Sequence, residues 1–241
     1  MRLVSWNIRK AVGLDWRRDP ARILRALDEM GADVALLQEA DRRMPPRRPA
    51  LPPALVAEHG WAAVGTHPDT PSTGHHGNAI LLRPGWTARA VQLIDLPGTE
   101  PRGAVAAVVE GPDGPVSVVC AHLGLRRRDR IAQMAMLRPQ LAGLGPRALL
   151  AGDTNEWRRG PAGLPLPPGW AWHVPLPTFH AARPFLALDR LATGPDLAVT
   201  DLRVSRTGSV ARASDHLPLL AEVMVCRADR ARGSSMFPLD P

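Results

Sequence analysis

Short apolar runs recur along the chain and alternate with a few stretches whose apolar residues fall at helical spacing. Arg2–Ile8 opens the series and predicts a strand. Asp19-Pro20 then supplies an N-cap and a first-turn proline, Ile23, Leu24, Leu27 and Met30 follow at helical intervals, and Gly31 stands where a helix ends. That segment predicts an amphipathic helix with one buried face. Val34–Leu37 reads as a short apolar strand. After an arginine- and proline-rich loop over Arg42–Pro53, the further strand candidates are Asn78–Leu82, Ala104–Val109, Val116–Ala121, Ala148–Ala151, Leu186–Ala192, Asp196–Ser205 and Leu217–Val225. A second helix is expected over Asp129–Leu144, kinked or broken by Pro139, because proline lacks the amide N–H and crowds the preceding turn. No internal repeat or long linker divides these pieces. They predict one α/β domain over residues 1–226, followed by a flexible tail, 227–241, rich in charged and small residues.

Composition narrows the class. A chain of 241 residues can bury roughly 70–75% of its unfolded surface, and 45% hydrophobic with 22% charged residues excludes wholesale disorder. Glycine (21) and proline (26) make it loop-rich, but no G-X-Y period suggests collagen. No run approaches the ~20 apolar residues that span a bilayer. The chain enters directly into Arg2-Leu3-Val4-Ser5-Trp6-Asn7, so the expectation is a soluble, cytoplasmic protein without a transmembrane segment. Cys120 and Cys226 cannot build a disulfide framework, and Cys120 lies inside an apolar run where a reduced buried thiol is usual. The net charge of +7 is almost entirely guanidinium, since Lys10 is the sole lysine among 30 basic residues. Arginine grips phosphate bidentately, which would suit phosphorylated partners; a chain-wide arginine, alanine and proline bias is the competing explanation.

Several strands end in a side chain able to titrate or to bind a metal. Asn7 follows Trp6, Glu39 follows Leu36-Leu37-Gln38, and His122 closes Val118-Val119-Cys120-Ala121. Asp153 and Asn155 follow Leu149-Leu150-Ala151-Gly152, Asp189 follows Ala187-Leu188, and Ser214-Asp215-His216 precedes Leu217-Pro218-Leu219. Strand ends are where an α/β scaffold presents reactive groups. Singly, each of these residues is most simply a turn former or a cap; together, and in this order, they point to a shared site.

In that order the motifs resemble the endonuclease/exonuclease/phosphatase family, which includes DNase I-like nucleases, abasic-site endonucleases, sphingomyelinases and inositol-polyphosphate phosphatases. The resemblance runs from Trp6 to His216 through Trp6-Asn7, Leu37-Gln38-Glu39, Gly77-Asn78-Ala79, Ala121-His122-Leu123, Gly152-Asp153-Thr154-Asn155, Leu188-Asp189-Arg190 and Ser214-Asp215-His216. It implies a DNase I-like four-layer α/β sandwich, with two mixed sheets face to face and helices outside. It also implies a Mg²⁺-dependent hydrolase of phosphoester bonds, with Mn²⁺ as a possible substitute, and favours a phosphodiesterase.

On that resemblance, Glu39 is the first candidate for the metal ligand, with Asn7 and Asp215 near the same ion directly or through water. His216 is the expected general base, oriented by Asp189; Asp153 and Asn155 position the water or the phosphoryl oxygens; His122 bonds phosphate or assists the leaving group. Arg102 and Asn78 are candidate contacts to the substrate phosphate. Arg42-Arg43, Arg126-Arg127-Arg128 and Arg158-Arg159, each close behind a motif, would add positive charge at the mouth of the site.

Departures bear on the substrate. Ala40-Asp41 follow Glu39 where repair endonucleases tend to have Thr-Lys, Arg190 stands where tyrosine is common, and the chain contains no tyrosine. An abasic-site enzyme is therefore disfavoured, and the motifs look more like a small bacterial branch. Nucleic acid, a phospholipid head group and a small phosphoester remain open as substrates, and no obligate protein partner is evident. Trp16, Trp61, Trp86, Trp157, Trp170 and Trp172 could stack bases or enter lipid, although most tryptophans simply pack. The competing reading is a catalytically silent protein of the same fold that binds nucleic acid or an anionic membrane.

Overall fold

The computed structural model describes residues 1–42, 48–65, 72–158, 164–174 and 176–226. In chain order the elements are β1 (Arg2–Asn7), α1 (Pro20–Met30), β2 (Val34–Gln38), α2 (Pro53–Glu58), β3 (Ala62–Ala63), β4 (Ala79–Leu82), β5 (Thr87–Leu96) and β6 (Arg102–Gly111). They continue with β7 (Gly114–His122), α3 (Arg127–Gly143), β8 (Ala148–Asp153), β9 (Ala171–His173), β10 (Asp189–Thr193), β11 (Leu197–Val204) and β12 (Leu219–Val225), and short 3₁₀ turns cover Arg9–Ala11 and Gly208–Arg212.

Two strand–helix–strand units organise the molecule. The β1–α1–β2 unit makes β1 and β2 parallel neighbours, and the β7–α3–β8 unit does the same for β7 and β8. Antiparallel strands complete each side, giving one sheet in the order β11-β12-β1-β2-β4-β3 and a second in the order β5-β6-β7-β8-β10-β9. Because side chains alternate along a strand, each central strand feeds two layers. Leu3, Val34 and Leu36 pack with Val118, Cys120, Leu149 and Ala151 in the core between the sheets. Val4, Trp6, Ala35 and Leu37 face outward beneath Ile23, Leu24 and Leu27 of α1, while Val119, Ala121 and Leu150 lie beneath Met134, Leu137 and Leu141 of α3. The result is the helix–sheet–sheet–helix sandwich that the motifs imply.

The caps of α1 follow the sequence. The Asp19 carboxylate accepts the Arg22 amide hydrogen at 2.9 Å, Pro20 opens the first turn, and Gly31 closes the helix at φ +61°. Pro139 behaves differently from expectation. Helix α3 runs unbroken through it because Pro139 and Ala135, whose carbonyl loses its partner, both lie on the exposed face, where water can satisfy the freed oxygen. The long edge strand β5 was not expected. It is mostly solvent-exposed and bulges between Arg89 and Gln92, so it lacks the clean alternation that marks a half-buried strand. Helix α2 and the short strands β3 and β9 were likewise not foreseen. Residues 227–241, expected to form a flexible tail, lie outside the described residues. Among the described residues, no helix is long and apolar enough to cross a membrane.

Candidate active site

The ends of the parallel strands supply the site. Registers pair Asn7 with Gln38 at the end of β1 and β2, His122 with Asp153 at the end of β7 and β8, and Asp153 with Asp189 at the start of β10. Gly152 makes the second junction possible. At φ +155° its Cα approaches β7 so closely that an added Cβ would lie 1.8 Å from the Ala121 carbonyl oxygen, so only glycine can precede Asp153 here.

Asp153 is the hub. Its Oδ2 accepts a hydrogen bond from Asn7 Nδ2 at 3.0 Å and lies 3.4 Å from His122 Nε2 and 3.6 Å from His216 Nε2. Its Oδ1 accepts the Asn155 amide at 2.9 Å. Behind His216, Asp189 Oδ2 stands 2.9 Å from Nδ1, and Asp189 is fully buried with Oδ1 unpartnered among the described residues. The terminal motif is tied to the first strand: the Trp6 indole donates to the His216 carbonyl at 2.8 Å, and the Ser214 hydroxyl donates to the Asn7 carbonyl at 2.7 Å. Asn155 donates through its amide to the Leu123 carbonyl at 2.9 Å, joining the loops after β7 and β8. Asp215 faces Arg9, with 3.5 Å between Oδ2 and Nε.

Glu39, Lys10, Asp41, Arg42, His76, Pro101, Arg102 and His122 line a cleft beside this cluster. The Lys10 ammonium pairs with the Glu39 carboxylate, and the backbone N–H of Lys10 donates to the Glu39 carbonyl at 3.0 Å. Arg9, Lys10, Glu39, His76 and Asn155 all have positive φ without being glycine. Left-handed backbone of this kind costs on the order of 1–3 kcal/mol per residue and gathers at functional sites.

Electrostatics separate the two histidines. Burial opposes charge on His216, but Asp189, then Asp153 and Asp215, outweigh it and push its pKa up to about 10. His122 is dominated by burial, only partly offset by Asp153 and reinforced by Arg102 and His216, and its pKa falls to about 3. The site thus holds one imidazolium and one neutral imidazole at neutral pH. For Glu39, burial favours the protonated form, but Lys10, Arg102 and His216 prevail and hold the carboxyl below its usual range.

A stability prediction follows for His122. Its folded pKa lies below its unfolded value, so its contribution is complete above about pH 6.5 and is lost as pH falls toward 3, as protons bind the unfolded chain first. At pH 4.5 this amounts to roughly 2–3 kcal/mol. Urea unfolding of wild type and His122→Asn at pH 7.5 and 4.5 should show the smaller acid loss in the variant; equal losses would contradict the buried neutral state.

The carboxylate and amide oxygens of Glu39, Asp215 and Asn7 suit a hard cation such as Mg²⁺, which takes oxygen ligands and needs only one or two protein carboxylates. Glu39 already attracts a cation, the Lys10 ammonium, and it is held charged. By the chemistry of its donor atoms, Glu39 is a residue that could hold a divalent ion here.

Some expected positions take other duties. Asn78 is fully buried, and its amide donates to the carbonyls of Gly103 at 2.8 Å and His75 at 3.1 Å. The side chain braces a turn, which leaves Arg102 as the candidate phosphate contact. Arg126, Arg127 and Arg128 are exposed at the start of α3 and Arg42 lines the cleft, whereas Arg43 and Arg159 lie outside the described residues. Of the tryptophans, Trp16 and Trp157 stand exposed on loops following β1 and β8, while Trp61 is buried against Arg83. Three residues take places at the site that the motifs did not assign them. Lys10 had one signal, its survival as the only lysine of an arginine-rich chain. Phe179 packs its ring 4.9 Å from that of His216. Arg190, buried next to Asp189, donates to the Glu156 carbonyl at 3.0 Å and the Arg158 carbonyl at 2.5 Å, fixing the loop after β8.

Comparison with known proteins identifies the family and the fold. Residues 4–216 match the Endonuclease/Exonuclease/phosphatase family. The uncharacterized protein YbhP of Escherichia coli (strain K12) is 35% identical over 165 residues, covering 62% of this chain; the chain spans 63% of the length of that relative. The solved structure of D. rerio TDP2 complexed with single-strand DNA product aligns with a TM-score of 0.68 at 20% identity, over 92% of this chain and 98% of that one. Mannosyl-6-phosphatase of Bacteroides thetaiotaomicron VPI-5482 aligns with a TM-score of 0.68 at 16% identity, over 93% and 99%. At these identities the two structures share the fold.

Proposed function

Because the chain belongs to the Endonuclease/Exonuclease/phosphatase family, whose members are hydrolases acting on phosphoesters, we propose that it is a Mg²⁺-dependent phosphodiesterase. The observation that carries this reading is the buried Asp153 carboxylate, on which Asn7, His122 and His216 converge. Glu39 would hold the cation, together with Asn7 and Asp215. When bound, the ion supplies Lewis-acid polarisation of a phosphoryl oxygen.

The side chains do the rest. Asp153, fixed by Asn7 and the Asn155 amide, accepts the proton of the attacking water. His216 was expected from sequence to be that base, but carboxylates face both of its ring nitrogens and keep it cationic, so we assign it to the phosphoryl oxygen as a charged donor. Asp189 is its positioning residue. Neutral His122 donates a hydrogen bond toward the leaving oxygen, and Arg102 neutralises phosphate charge at the cleft.

A silent binding protein fits this arrangement poorly. Polyanion binding needs surface cations and gains nothing from burying Asp153 and Asp189, whose desolvation costs stability and whose clustering with two histidines is typical of catalytic sites. Nucleic acid, a phospholipid head group and a small diester are the substrate classes in view; Arg42 and Arg102, which line the cleft, suit the phosphate of any of them. The test is purified protein on bis-p-nitrophenyl phosphate and p-nitrophenyl phosphate with Mg²⁺. Faster release from the diester, stopped by EDTA and restored by Mg²⁺, is the expected result. Faster release from the monoester would make it a phosphatase, and no turnover of either, or of DNA, RNA and phospholipid, would leave the binding reading standing.

A further inference from the structure

A second cluster of metal-competent groups lies outside the catalytic constellation. His75 Nε2 and His76 Nε2 both point at one oxygen, Asp95 Oδ1, at 2.8 and 2.9 Å. The three candidate ligand atoms lie within 4.8 Å of one another. The two rings meet edge to face with centroids 4.4 Å apart.

The cluster is built on rigid backbone. His75 and Asn78 exchange two backbone hydrogen bonds of 2.9 Å each, and the intervening His76 and Gly77 have φ of +49° and +82°, the signature of a tight turn with both central residues left-handed. The Asn78 amide clamps this turn to Gly103 on β6, and Gly103 pairs in register with Asp95 on β5. Gly103 is also the floor of the cluster: a Cβ there would come within 2.8 Å of His76 Cδ2 and 2.9 Å of His75 Cδ2. A glycine at this one position lets both imidazoles lie over the sheet and reach the carboxylate of the neighbouring strand.

We propose that His75, His76 and Asp95 form a second cation site, selective for Zn²⁺ and ions like it, on the rim of the catalytic cleft. Two imidazoles and one carboxylate are a borderline-soft donor set that favours zinc over Mg²⁺, the opposite of the all-oxygen set around Glu39. Tetrahedral zinc with ligands about 2.0–2.1 Å away places ligand atoms roughly 3.3 Å apart. The present N···O separations need to open by only about half an ångström, so the ion enters with small side-chain movements. Three protein ligands leave a fourth position, and the exposed Asp95 side opens it to water. Because His76 also lines the cleft with Lys10, Glu39 and Arg102, the bound ion adds positive charge at the entrance used by an anionic substrate.

The experiment is zinc binding by isothermal calorimetry on untagged, metal-stripped full-length protein, with Mg²⁺ in large excess. One zinc per chain is expected for wild type and for Glu39→Gln and Asp189→Asn, with the melting temperature raised by zinc. His75→Ala and Asp95→Asn should weaken binding by more than the roughly 10–100-fold that loss of an outer-shell partner costs, and should lose the melting shift while keeping the wild-type circular dichroism. His75 and His76 are largely covered and Asp95 exposed on the surface of the sheet, so both variants are expected to fold. Zinc uptake unchanged in both variants, or lost in Asp189→Asn instead, would assign the ion to the catalytic cluster and overturn the proposal. So would the absence of uptake by the wild type.

Discussion

Asp153→Asn is expected to lower turnover of bis-p-nitrophenyl phosphate by about 10²–10⁴-fold with little change in shape. The substitution keeps the volume of the side chain and one oxygen, so the Asn155 amide can still be accepted at the Oδ1 position. It removes the negative charge that faces His122 and His216 at 3.4 and 3.6 Å, and with it the carboxylate proposed to take the proton from water. An amide also presents N–H to the Asn7 amide group or to the histidines, where a carboxylate only accepts. Measuring kcat and KM separates the outcomes: a fall in kcat with KM little changed marks an interaction made in the transition state. Activity within tenfold of wild type would move proton acceptance to another group.

The second large effect is at His216. His216→Ala should abolish measurable turnover, and it should also destabilise the protein. The imidazolium is the only hydrogen-bonded partner seen for the Asp189 side chain among the described residues, and Asp189 is fully buried. Removing one member of a buried ion pair typically costs about 3–5 kcal/mol, because the remaining charge is left uncompensated. A second substitution resolves the two roles. Asp189→Asn added to His216→Ala removes the stranded charge, so stability should largely return while activity stays lost. Urea unfolding and turnover of the single and double variants make the comparison. A His216→Ala protein as stable as wild type would contradict a stabilising buried pair between His216 and Asp189, and an active one would take His216 out of the chemistry.

Much of this candidate site is legible in the chain because its residues stand at or within a few residues of strand ends. Apolar runs ending in Asn7, His122 and Asp153 identify both the strand and the residue at its end, and parallel pairing brings those ends together. Helix α1 was readable for the same local reason, since Asp19, Pro20 and Gly31 write both caps. What escaped depends on distant parts. Strand β5 is an exposed edge, so water erases the alternation that would announce it. The protonation of His216 is set by Asp153, Asp189 and Asp215, which come from separate segments, and no single motif reveals that three carboxylates surround one ring. Lys10 meets Glu39 only because the loop after β1 takes left-handed backbone that its residues do not advertise. The burial of Arg190, which stands where tyrosine is common in repair endonucleases, makes sense once the carbonyls of Glu156 and Arg158 are seen pointing at it.

The proposed chemistry requires a hard cation at Glu39 within reach of the Asp153 cluster. Titrating Mn²⁺ into metal-free protein, with free ion counted by electron paramagnetic resonance, tests this without reference to any substrate. One tight Mn²⁺ per chain is predicted for wild type and for Asp95→Asn, displaced by Mg²⁺ and lost in Glu39→Gln. Mn²⁺ bound equally well by Glu39→Gln would contradict it.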